Sequence, residues 1–152
     1  MTAKRAGIDA YVDGACSGNP GPAGLGVVLV SGGHRKEISA YLGQATNNVA
    51  ELASMLVALR AIRDPSRRVR LFTDSSYARG LLALGWKPKA NRALVEALRT
   101  EASRFPRLET IQVPGHAGVP ENERADQLAR DAIALRAPVL EVLDLVLGRS
   151  GR

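Results

Sequence analysis

The chain has one cysteine in 152 residues, Cys16. That excludes an internal disulfide and gives no reason to expect an oxidising compartment. Cys16 itself reads as a small, part-buried side chain rather than a redox group. Aromatic residues are also scarce, 4% of the chain with a single tryptophan, which argues against a surface built from rows of base-stacking rings. No apolar run in MTAKRAGIDAYVDG is long enough for a signal peptide, and none elsewhere approaches a membrane-spanning length. The expectation is a cytoplasmic protein with no membrane partner. Positive charge, by contrast, is plentiful: 21 Lys and Arg against 15 Asp and Glu, a net charge of +6. This balance points to an acidic polymer, although a ribosomal or membrane surface would select the same excess. A hydrophobic content of 45% fits one globular domain around a single core.

Turn chemistry divides the chain. Residues 8–13, 24–30 and 34–42 read as three strands joined by short turns, the second turn being Ser31-Gly32-Gly33. Such closely linked strands predict an antiparallel meander. Asn47 or Asn48 is placed to cap a helix running to about Arg63, with Pro65 just beyond its end. VRLFT (69–73) predicts a fourth strand, SSYARGLLAL a helix with a Ser cap, Asn91 to about Ser103 a third helix, and ETIQV (109–113) a fifth strand. Pro120 suits the first turn of a last helix. Three strands followed by alternating helix and strand imply an α/β fold, a mixed five-stranded sheet flanked by helices. In the tail from Pro138, Val139, Leu140, Leu143, Val146 and Leu147 fall at helical spacings. The expected division is a domain over 1–137 and a tail over 138–152. The tail reads as a short helix docked on its own domain, with a dimer contact or a partner-binding segment as the alternatives.

Four carboxylates stand where an apolar or neutral residue would be ordinary. Glu51 shares a helical line with Met55, Ala58 and Ile62, so it is either met by a cation or donor in the core or favoured by a helix amino terminus. Asp74 ends an apolar strand, as a cap or as a ligand. Asp13 ends another before a glycine turn, where Asp also serves local backbone needs. Both lie where ligands of open α/β sheets gather. Asp126 shares a helical face with Ala129 and Ile133. Carboxylates gathered from separate elements are the usual ligands of hard divalent cations, and together without cations they would repel one another. His116, between two glycines shortly before Asp126, suits proton transfer near such a site.

The strings that carry these residues, DGACSGNPGP, TNNVAEL, TDSSY and GHAGVPENERAD, occur in this order over roughly residues 8–135. Together they resemble the ribonuclease H type 1 family. The resemblance implies an endoribonuclease that hydrolyses the RNA strand of RNA–DNA hybrids and leaves 5′-phosphate and 3′-hydroxyl ends. It implies a ribonuclease H-like fold in which Asp13, Glu51, Asp74 and Asp126 bind two Mg2+ ions, with Mn2+ as a substitute, and in which His116 assists proton transfer or product release. Gly14, Cys16, Asn19, Asn47 and Asn48 resemble the family's minor-groove surface, which meets RNA 2′-hydroxyls. Thr46 and Asn91 resemble its phosphate-holding pair for the DNA strand. Two departures stand out. Ser76 replaces a Gln found in many members, and the basic helical protrusion of many bacterial members is shortened to GLLALGWKPKAN, in which Trp86 is a candidate to stack on the DNA strand. The sequence favours a monomer. A module that binds hybrids without cutting, or a nuclease of this fold with another nucleic-acid substrate, are the alternatives.

Overall fold

A computed structural model describes residues 6–115 and 118–149. Strands β1 (Ile8–Cys16), β2 (Gly21–Ser31), β3 (His34–Ala45), β4 (Val69–Thr73) and β5 (Leu108–Gln112) form one sheet in the order β3-β2-β1-β4-β5. The β1–β2 and β2–β3 pairs are antiparallel, while β1–β4 and β4–β5 are parallel. The expected mixed sheet with its antiparallel meander is therefore what the chain forms. The strands run longer than their apolar cores suggest. β1 continues past Asp13 through Gly14, Ala15 and Cys16 because these residues pair with Leu25, Gly24 and Ala23 of β2. Asp13 thus sits inside a paired strand rather than at its end.

Side-chain alternation assigns each face. Ile8, Ala10 and Val12 of β1 and Leu25, Val27 and Leu29 of β2 join the main core. Helix α1 (Asn47–Ala61) packs into that core. It is buried from Ala50 to Leu59, as expected of a helix apolar on every side. Helices α2 (Ser76–Ala83) and α3 (Arg92–Ala102) link β4 to β5. The other face carries α4 (Pro120–Leu135), with Val28, Ala125 and Leu128 in a second small core. Glycine permits that packing: an added Cβ at Gly26 would lie 2.0 Å from the Ala125 carbonyl oxygen, and at Gly24 2.4 Å from that of Ala129. α4 therefore lies directly on the β2 backbone.

Several boundaries differ from expectation for local reasons. The cap of α1 is Thr46, whose Oγ1 accepts from the Val49 amide (3.1 Å), rather than Asn47 or Asn48. Asn47 is the first helical residue, and its amide donates to Asn19 Oδ1 from the β1–β2 loop (3.0 Å). α1 stops at Ala61, with Ile62 in extended conformation. Asn91 precedes α3 in the left-handed region without a side-chain cap, and donates through Nδ2 to the Tyr77 hydroxyl (3.2 Å). β5 lies one residue earlier than expected.

The tail packs on the same body. Pro138 and Leu140 bond to the Tyr41 backbone on the outer edge of β3 (both 2.8 Å). A six-residue helix, α5 (Val142–Leu147), then buries Leu145, whose carbonyl accepts from Arg60 of α1 (2.5 Å).

Candidate active site

The parallel register of β1 and β4 pairs Asp9 with Arg70 and Tyr11 with Phe72, and two residues further along lie Asp13 and Asp74. Side chains of a strand alternate, so these three levels share the face that carries α4. Glu51 reaches the same point from α1, because Gly14 lets the helix approach: an added Cβ there would lie 2.5 Å from the Ala50 carbonyl carbon and 2.6 Å from the Glu51 nitrogen. The Gly14 amide donates to Glu51 Oε1 (2.8 Å) and to Asp13 Oδ1 (3.0 Å). One oxygen each of Asp13, Glu51 and Asp74 then lies within 4.8 Å of the others.

Asp13 and Glu51 are nearly buried, at 5% and 6% exposure. Burial, followed by the charges of Glu51 and Asp74, pushes the Asp13 carboxyl up to about 9. Burial and then the Asp74 charge push Glu51 up to about 8, against the pull of the Gly14 amide. Neither the cap nor the macrodipole explains these groups. Ser75 caps α2 by accepting from Ala78, which leaves Asp74 out of that task. Glu51 lies beyond the first turn of α1.

Asp126 helps raise Asp13 through a side-chain hydrogen bond and then its charge, and Glu51 through its charge, but it stands outside the 4.8 Å group. Arg130 Nη2 is 2.7 Å from Asp126 Oδ2. Although this is close enough for an ion pair, the guanidinium N–H is not aligned on that oxygen, so the buried Oδ2 has no hydrogen bond. One turn earlier, Asn122 is 3% exposed and its Oδ1 also lacks a hydrogen bond. The sequence reading passed over Asn122, whose one signal was its i−4 spacing from Asp126. His116 lies outside the described residues. Gly115 before it faces Asp74, with an added Cβ 3.3 Å from Asp74 Oδ2.

The other singled-out residues fall in two groups. Cys16 Sγ donates to the Gly18 and Ala45 carbonyls (2.5 and 3.2 Å), and Asn19 holds Asn47, so Cys16, Asn19, Thr46 and Asn47 form one surface beside Glu51. Asn48 instead lines a cleft of about 270 Å³ with Tyr77, Trp86, Lys87, Lys89 and Asn91. The Trp86 ring lies on Gly80, where an added Cβ would be 2.1 Å from it, and the side chain is 47% exposed. Ser76 is exposed on the first turn of α2. Gly14 is buried, and its amide is committed to the two carboxylates.

This sheet order and carboxylate cluster place the chain among nucleases of the ribonuclease H-like fold. RNase H1 of the halophilic archaeon Halobacterium salinarum superposes with a TM-score of 0.73 at 36% identity, over 84% of this chain and 97% of that one. LC11-RNase H1, solved in complex with an RNA/DNA hybrid, gives 0.73 at 31% identity over 86% and 99%. The RNase H family model matches residues 5–134. Ribonuclease H of Aeromonas hydrophila is 44% identical over 138 residues, 82% of this chain and 88% of its own, and that of Symbiobacterium thermophilum is 43% identical over 82% and 92%. The chain belongs to the ribonuclease H family, and it is accordingly an endoribonuclease.

Proposed function

We propose that this enzyme hydrolyses the RNA strand of RNA–DNA hybrids with two divalent ions held by Asp13, Glu51, Asp74 and Asp126, leaving 5′-phosphate and 3′-hydroxyl ends. The observation that carries the reading is the set of three carboxylate oxygens within 4.8 Å, two of them on groups whose pKa is raised by burial and mutual repulsion. Once deprotonated, such a set is anionic and hard, so it fits Mg2+, with Mn2+ as a substitute. Two ions of this kind, when bound, activate water and stabilise the leaving oxygen of an in-line displacement. The chain's own contribution is to fix the carboxylates. β1 and β4 set the spacing of Asp13 and Asp74, the Gly14 amide orients Glu51, and α4 brings Asp126. His116, two residues before α4's approach begins at Gly118, is proposed to move a proton or help the cleaved end depart.

Recognition of the hybrid is assigned to two surfaces. The first is Gly14, Cys16, Asn19 and Asn47, with Asn48 at the edge of the neighbouring cleft and Ser76 exposed on the first turn of α2. These are proposed to meet the minor groove, where a 2′-hydroxyl distinguishes RNA. Thr46 accepts one bond through Oγ1 and keeps its hydroxyl proton free to donate to a phosphate. The second is the cleft of Tyr77, Trp86, Lys87, Lys89 and Asn91, whose half-exposed ring and lysines suit a DNA strand. The hybrid bound by LC11-RNase H1 supports this choice of substrate. Monomeric action on the hybrid is the working form of the proposal.

The test is cleavage of an end-labelled RNA–DNA hybrid with Mg2+, Mn2+ or EDTA, beside RNA-only and DNA-only duplexes. The expected result is cutting of the RNA strand in the hybrid alone, with either metal, and none in EDTA. Equal cutting of DNA or RNA duplexes would shift the substrate to another nucleic acid, and folded protein without cutting would leave a hybrid-binding module.

A further inference from the structure

The segment 84–91 between α2 and α3 forms neither helix nor strand, yet it is tied to both helices. The carbonyls of a helix's last turn have no partner within it. Here the Gly80 carbonyl accepts from the Leu84 and Trp86 amides (3.1 and 3.2 Å). The Leu81 carbonyl accepts from Arg99 Nε and Nη2 of α3 (2.9 and 2.7 Å), and the same Nη2 donates to the Trp86 carbonyl (2.6 Å). One planar guanidinium fork thus fixes two backbone carbonyls at once. At the far end, Asn91 is held to the Tyr77 hydroxyl. Gly80 is the second device. Glycine inside a helix is unfavourable against alanine, and Gly80 is buried in α2. An added Cβ there would lie 2.1, 2.3 and 2.4 Å from atoms of the Trp86 ring, so the bare backbone is the seat on which the ring rests.

We propose that Gly80 and Arg99 are positioning residues for the cleft of Trp86, Lys87 and Lys89, holding it in its docking shape before a nucleic acid arrives. The inference rests on the assignment of this cleft to the DNA strand. Neither residue has to touch that strand. Gly80 lies beneath the ring, and Arg99 is committed to two backbone carbonyls. Trp86 is 47% exposed, so one side of the ring is seated and the other is open to a base, a contact that any sequence can make. A loose segment would have to be ordered on binding, and that entropic cost lowers affinity. A segment already seated avoids it. This is how a short stretch with one ring and two lysines holds a DNA strand.

Trp86 is the single tryptophan of the chain, so its emission reports the ring directly. The measurement is steady-state cleavage of an RNA–DNA hybrid in Mg2+, with kcat and KM separated, beside the emission spectrum of the free protein. The variants are Gly80→Ala, Arg99→Gln, Trp86→Ala and the double variant Gly80→Ala/Trp86→Ala. Gly80→Ala should shift the emission to the red as the ring leaves its seat. It should raise KM about two- to tenfold, the range for one side chain that must be ordered on binding, and leave kcat unchanged, the mark of lost binding alone. Arg99→Gln should act in the same direction. In the Trp86→Ala background, Gly80→Ala should change nothing, because the new methyl meets no ring. An unaltered KM in Gly80→Ala, with Trp86→Ala impaired, overturns the proposal and leaves the cleft assignment standing. An equal rise in KM without the ring also overturns it, since glycine would then act through α2 itself. An unaltered KM in Trp86→Ala overturns the cleft assignment on which the proposal rests.

Discussion

The two ends of one strand pair treat charge in opposite ways. At the lower end of β1 and β4, Asp9 meets Arg70 in a two-pronged ion pair (both 2.8 Å), Arg70 lies over the Phe72 ring, and Phe72 stacks on Tyr11 with ring centroids 4.6 Å apart. Two residues further, on the same face, the register sets Asp13 beside Asp74 with Glu51 against both, so that carboxylate faces carboxylate. The first level is compensated and part-exposed; the second is buried and repulsive. The stacked aromatic pair lies directly below the carboxylates on that face. Catalytic capacity and local instability therefore sit on the same few residues.

The comparison can be broken first at the upper end. Asp13→Asn or Asp74→Asn should lower the rate of hybrid cleavage on the order of 10³-fold while far-ultraviolet dichroism stays native. Retained turnover in either purified variant would sink the assignment.

Next comes stability against pH. The Asp13 and Glu51 carboxyls are raised to about 9 and about 8, above their unfolded values near 4. The folded state therefore holds protons that the unfolded state releases. In EDTA this contribution is fully present below about pH 4 and is lost as pH rises towards 8 to 9. Thermal melts should show that decline, added Mg2+ should reverse it at pH 8, and Asp13→Asn should flatten it with a gain of about 2 kcal/mol at that pH. A melt profile that rises between pH 5 and 9 in EDTA would contradict the raised values.

The middle level gives a smaller effect. Phe72→Leu removes the stack but keeps an apolar residue, and should cost about 1 kcal/mol in urea unfolding while weakening Mn2+ binding through looser carboxylate spacing. Unaltered metal affinity would separate the aromatic pair from the site. The least change is expected at the bottom: Arg70→Gln breaks a part-exposed, two-pronged ion pair, and its cost in urea unfolding should stay under about 1 kcal/mol.

Much of this was legible in advance because each carboxylate broke a local rule. Glu51 lies on a line with Met55, Ala58 and Ile62, all of them buried, so helical spacing put it on the core side while leaving a macrodipole-favoured role as the alternative. The turns implied the antiparallel meander, but not that β4 would lie beside β1 and set Asp74 next to Asp13. What could not be seen were the contacts made at long range. Thr46 replaces Asn47 as the cap because Asn19, 28 residues away, already satisfies the Asn47 amide. β1 runs through a glycine-rich stretch that looks like a turn, because β2 pairs with it there. The Asp126–Arg130 contact resembles any helix-surface pair until the burial of its acid is known. Apolar spacing suggested a helix after Pro138, yet not that the chain would first bond to Tyr41.

That last contact has a consequence for solubility. β3 is an edge strand of the sheet, and an uncovered edge is a template for pairing with another molecule. The Tyr41 amide donates to the Pro138 carbonyl and the Tyr41 carbonyl accepts from the Leu140 amide, with Val139 bridged to the same residue. Pro138, Val139 and Leu140 act as a gatekeeper at the middle of that edge. A chain cut ahead of Pro138 should keep its carboxylates and its chemistry, yet scatter light on concentration as β3 edges meet edge to edge.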